Sequence, residues 1–146
     1  MNKVLIQNNQ TDNGCWSYVG NQQNGTQLLE LSDWCFTNKT TPHELLHAVG
    51  IYHEQARPDR DQYVEINLNC VQPGNENNYR KQKSSLTYDL PYNPKSIMHY
   101  PSGVPSCKTI TSKVHCSSGK YKGYKPVLSL ILMMYCSRSK AYLTMI

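Results

Sequence analysis

The chain has 146 residues, a length that suits one domain, with 38% hydrophobic and 17% charged residues and a formal net charge of +5. Residues 1–100 carry eight Lys or Arg against ten Asp or Glu, whereas residues 101–146 carry seven Lys or Arg and no acid. This basic end has no nucleic-acid motif, so no nucleic acid is expected as a partner, and no apolar run reaches the about 20 residues a membrane-spanning helix needs, so membrane anchoring is not expected either.

Taken in chain order, KVLIQ at residues 3–7 reads as a short strand and NNQTDNG as the turn after it. CWSYVG is a second strand-like run, followed by a polar Gly/Asn loop over 20–26. TQLLELS reads as a third strand or sheet edge. A helix is expected over 41–50 and a second near 74–84, and YDLPYNPKS at 88–96 is turn-rich. VLSLILMMY at 127–135 is the most apolar stretch; at nine residues it reads as a buried strand or helix segment. Met1 is followed by NKVLIQNNQ, so no signal peptide is read, and there is no internal repeat.

The densest chemistry lies in HELLHAVGIYHE, residues 43–54. His43 and His47 are four residues apart, which on a helix puts both imidazoles on one face, about 6 Å apart along the axis. Two rings so placed can bind one metal ion. Glu44 then lies to one side, where it can take a proton from a water on that metal without being a ligand. This is the H-E-x-x-H arrangement of zinc peptidases, and catalysis needs a third protein ligand and one open position. His53 supplies the residue type, but six residues of continuous helix after His47 would turn it roughly 240° to the wrong side. The chain must bend, and Gly50 stands where a glycine with positive φ can end the helix. A plainer reading makes T-P-H-E, from Thr41 to Glu44, a capping box with proline at the first helical position.

Six cysteines, at 15, 35, 70, 107, 116 and 136, point to an oxidising compartment but allow fifteen pairings. Cys107 and Cys116 are close enough in sequence to close a small loop. No C-x-x-C pair is present, which argues against a zinc–thiolate site. Three N-x-[ST] sequons, at Asn9, Asn24 and Asn38, fit a secreted chain.

HELLHAVGIYHE resembles the H-E-x-x-H-x-x-G-x-x-H signature of the metzincin zinc peptidases. With SIMHY at 96–100 and Glu54 directly after the third histidine, the chain resembles the astacin family within that group. GCWSYVG at 14–20, RPDRDQYVEIN at 57–67 and PGNENNY at 73–79 also look like astacin sequence, and the resemblance covers residues 3–103. It implies an α+β, metzincin-like zinc peptidase fold. A partial upper lobe would combine a mixed sheet with the active-site helix, above an irregular lower lobe. The resemblance further implies one catalytic zinc ion on His43, His47 and His53, with Glu44 as general base and Tyr100 as the tyrosine that stabilises the oxyanion. Met98 would floor the site, Gly50 and Glu54 would be structural, and Cys15 would pair with Cys35. The implied function is a secreted zinc-dependent endopeptidase that hydrolyses peptide bonds in proteins with a metal-activated water, its substrate extended along a sheet edge. The alternative is a catalytically impaired secreted paralogue or fragment acting as a binding module. Subsite preference and oligomeric state are not legible.

The departures from the family set further expectations. The opening strand and first long helix of the upper lobe have no counterpart, and the resemblance fades after Ser102. The organisation is therefore read as a partial catalytic domain over 1–103 and a divergent basic tail over 104–146. In the family, the mature N-terminus is buried beside the glutamate that follows the third histidine; Glu54 is expected to lack that partner. Cys70 stands where the family does not usually have a cysteine. Pro42 directly precedes the first histidine of the motif. Proline disfavours helix at the residue before it, so the helix is expected to start at Pro42 or to have a distorted first turn.

Overall fold

The computed structural model describes residues 3–8 and 14–113, and these fall into two compact units divided between Tyr52 and His53. The apolar run at 127–135, Cys116 and Cys136 lie outside the described residues.

The first unit holds a three-stranded sheet in the order β1-β3-β2. β1 (Lys3–Gln7) runs parallel to β3 (Thr26–Leu31), and β2 (Cys15–Ser17) runs antiparallel to it, with Cys15 opposite Leu31. β3 is the central strand. Gln27, Leu29 and Leu31 share one face and are all buried, and Glu30 on its other face is buried as well. Leu29, Leu31 and Cys35 form the core of this unit, with Cys15 and Ala48 packed against them. Buried Gln27 is satisfied: its amide donates to the Gly20 carbonyl and its carbonyl accepts from the Gln22 N–H, both at 3.0 Å. A disulfide joins Cys15 to Cys35.

Helix α1 spans Thr40–Ala48, so it begins two residues before Pro42, not at it. The proline is tolerated because the first four N–H groups of a helix have no partner within it, and a missing one at this position costs nothing. The Thr37 hydroxyl oxygen accepts from the Lys39 and Thr40 N–H groups at 3.2 and 2.8 Å and so starts the helix. Thr41 is already helical, and its hydroxyl donates to the Cys35 carbonyl at 3.1 Å. The capping box from Thr41 to Glu44 does not form.

The second unit has little regular structure. β4 (Val64–Ile66) pairs antiparallel with β7 (Ile110–Ser112), and β5 (Gly103–Val104) with β6 (Cys107–Lys108). Val64, Tyr92 and Ile110 form its buried core, with Tyr63, Ile66, Tyr79 and Tyr100 around them. The helix expected near 74–84 is only one 3-10 turn, Glu76–Tyr79, closed by i→i+3 bonds and followed by extended Arg80. Asn75, Asn77 and Asn78 are poor helix formers whose side chains compete for backbone groups. Cys107 pairs with Cys70, not with Cys116, and this disulfide holds β6 against the turn that follows β4. Among the described residues no helix is long and apolar enough to cross a membrane.

Candidate metal centre

α1 ends in a Schellman motif. The Gly50 N–H donates to the His47 carbonyl at 2.8 Å and the Ile51 N–H to the Leu46 carbonyl at 3.0 Å. Gly50 has φ +103°, a conformation that a side chain would strain. The His47 carbonyl also accepts from the Gly20 N–H at 2.8 Å, so a neighbouring loop seals the helix end. After this turn the chain leaves the helix axis and reaches His53, whose backbone is extended at φ −59° and ψ 140°.

The His43 and His47 rings lie edge to face with centroids 4.7 Å apart. His47 is buried, and its Nδ1 lies 2.7 Å from the Ile51 carbonyl. A carbonyl only accepts, so Nδ1 carries the proton and the lone pair is on Nε2. Burial also lowers the His47 pKa, against the Ile51 bond that raises it, and this favours the neutral form that binds metal. Along the segment from His43 to His53, the three histidine ligand atoms lie within 4.8 Å of one another. Three nitrogens at zinc bond lengths of about 2.0–2.1 Å sit roughly 3.3 Å apart. The donor set, three imidazoles, suits zinc.

Glu44 is buried on α1, and burial alone pushes its carboxyl up to about 7. Glu54 is held by two groups other than an N-terminal amine. One carboxylate oxygen accepts from the Asn93 N–H at 2.7 Å and from Arg57 at 3.2 Å. Burial still raises its pKa, with both bonds pulling the other way. Arg57 also pairs with Asp59 and donates to the Leu90 and Pro91 carbonyls, which fixes the segment before the methionine turn.

Met98 is buried in a tight turn in which the His99 N–H donates to the Ser96 carbonyl. The Met98 carbonyl accepts from the Glu54 N–H at 2.9 Å, which ties this turn to the residue after His53. The Tyr100 ring lies 4.3 Å from the His53 ring, centroid to centroid. Sequence reasoning assigned no role to Gln55, Arg57 or Tyr92. Fully buried Gln55 gives no signal in the sequence beyond its place next to Glu54, whereas Arg57 and Arg60 in RPDRD are half-buried clamps of this unit and lie in a motif quoted above.

A helix carrying two histidines, a glycine turn to a third, and a methionine turn with its tyrosine make up a metzincin-type zinc peptidase fold. The chain belongs to the astacin family: the family model described as Astacin, a peptidase family, matches residues 1–123. Meprin A subunit beta from Mus musculus is 46% identical over 89 residues, covering 60% of this chain and 13% of that protein. Protein SpAN from Strongylocentrotus purpuratus is 36% identical over 116 residues, covering 74% of this chain and 19% of that protein. High choriolytic enzyme 1, a hatching enzyme zinc-protease from Oryzias latipes, superposes with a TM-score of 0.69 at 32% identity, over 77% of this chain and 56% of that one. The chain thus spans less than a fifth of the length of these two sequence relatives.

Proposed function

We propose that this chain is the zinc-binding part of an endopeptidase that hydrolyses peptide bonds in proteins. The three-histidine group on a helix–glycine–turn segment, in a chain of the astacin family, is the observation that carries this reading. His43, His47 and His53 would hold one zinc ion. When bound, zinc polarises a scissile carbonyl and lowers the pKa of a water toward about 7.

Glu44 is the general base. It takes a proton from the attacking water and returns it to the leaving amine. Tyr100 donates its hydroxyl to the oxyanion that develops on the substrate. Met98 and Glu54 hold the turn and the residue after His53 in register. The substrate is a protein or peptide. Two disulfides among the described residues favour an extracellular setting.

The test is cleavage of an unfolded protein by the purified chain, with and without a zinc chelator, beside Glu44→Ala. The expected result is cleavage that the chelator abolishes, and a Glu44→Ala variant that keeps its zinc but loses about 10²–10⁴ in kcat. Retained zinc with no cleavage by the wild type would overturn the peptidase reading and favour a binding module.

A further inference from the structure

Tyr100 is gripped at both of its peptide bonds. Its N–H donates to Gln55 Oε1 at 2.9 Å. Its carbonyl lies 2.6 Å from His99 Nδ1. Only a protonated Nδ1 can make that bond, and burial, which lowers the His99 pKa, keeps the ring neutral. Nε2 is then an acceptor, and the Tyr92 hydroxyl, 2.7 Å away, donates to it. Tyr92 is itself buried and stacked on Tyr63, with centroids 4.8 Å and planes 6° apart, so this chain of bonds starts from the core.

Gln55 is the more telling partner. It is fully buried, and among the described residues its Nε2 is the one buried side-chain polar atom recorded without a hydrogen bond. Methionine would fill a similar volume without an orphaned donor. Burial therefore gives no reason for an amide here. The bond from its oxygen to the Tyr100 N–H does. With the backbone fixed on both sides, only the two side-chain torsions of Tyr100 remain to place the phenol. The ring stands against His53 on one side and Tyr79 on another, with centroids at 4.3 and 5.6 Å.

We propose that Gln55 and His99 are positioning residues for Tyr100, and that they affect peptide hydrolysis only through it. The proposal rests on the peptidase reading above. Its test uses the full zinc-loaded chain, with Gln55→Met, Gln55→Glu and His99→Leu each made in the wild type and in Tyr100→Phe.

Gln55→Met should lower kcat about tenfold while KM stays within about twofold. Its Tm should stay within a few degrees of the wild type, because one bond and one orphaned donor are lost together. Gln55→Glu keeps an acceptor in the same place and should recover most of the rate. In the Tyr100→Phe background, neither Gln55→Met nor His99→Leu should lower kcat further. Hydrogen exchange at the Tyr100 amide reads the same grip without activity. It should be slow in the wild type and in Gln55→Glu, and about tenfold faster in Gln55→Met.

An unchanged kcat in Gln55→Met would overturn the proposal, as would an equal loss in both backgrounds or an unchanged Tyr100 amide. If the wild type cleaves nothing while the amide behaves as expected, the peptidase reading falls and the grip on Tyr100 stands.

Discussion

In the first unit, β1 and β2 both pair with β3 along their lengths, and α1 closes with backbone bonds at its end. In the second, strands are two or three residues long and four 3-10 turns follow one another from Glu54 to Tyr79. Side chains join those turns. Arg57 reaches Glu54, Asp59 and the carbonyls of Leu90 and Pro91; Arg60 reaches Asp61 and the carbonyls of Gln55 and Tyr79. Where the backbone does not satisfy its own polar groups, half-buried arginines with several donors do so. The second unit is therefore held together by a few residues, and the first by a repeating pattern.

This contrast can be broken at several points. The largest effect is expected from Cys70→Ala with Cys107→Ala. That disulfide closes a loop with a sequence separation of 37, and its loss should cost about 4 kcal/mol, mainly through the unfolded chain. In hydrogen exchange, amides after His53 should lose protection while those of β1 and β3 keep theirs. Uniform loss across both would show one cooperative body, not two differently built ones. Leu29→Ala removes a fully buried side chain from the first core and should cost about 3 kcal/mol in denaturant unfolding. Here the pattern of protected and exposed amides should reverse.

A third variant sharpens the comparison within α1. In metal-free protein, the Glu44 pKa rises on folding from 4.5 to about 7. Between those values the folded chain holds a proton that the unfolded chain releases, so stability falls as pH rises and levels off above about 7. Glu44→Gln should therefore be about 2–3 kcal/mol more stable than the wild type at pH 8 and equal to it at pH 4. A constant difference at both pH values would contradict a carboxyl shifted by burial. The smallest effect is expected from Thr37→Ala, which removes the acceptor for two N–H groups at the start of α1. It should cost about 1 kcal/mol and raise amide exchange in the first helical turn only.

The same contrast governs what the sequence makes legible. KVLIQ, CWS and TQLLEL are strands because short runs of strand-forming residues between turn signals need only local information. The spacing of His43, His47, Gly50 and His53 likewise describes its own geometry, since helix pitch and one positive φ fix where each ring goes. Nothing local tells Val64 to pair with Ser112, or Cys70 to meet Cys107. Three asparagines stand where a helix is expected near 74–84, and α1 starts at Thr40 on the Thr37 hydroxyl, ahead of the proline whose presence predicts either a start there or a distorted first turn. Glu54, expected to lack the N-terminal amine as its partner, is held by Arg57 three residues on and Asn93 thirty-nine residues on. Distances of that kind have no period to read.

The two disulfides also bear on how the chain is made. Cys15 pairs with Cys35 and Cys70 with Cys107, so the first ring closes before the second begins. If the chain is made into an oxidising compartment, the N-terminal pair can form while Cys70 is still unmade, and domains that fold as units benefit from that order. Correct pairing of these four cysteines then follows from their sequence of emergence. Refolding of these residues from the reduced state lacks that ordering and depends on thiol–disulfide exchange to reach the same pairs.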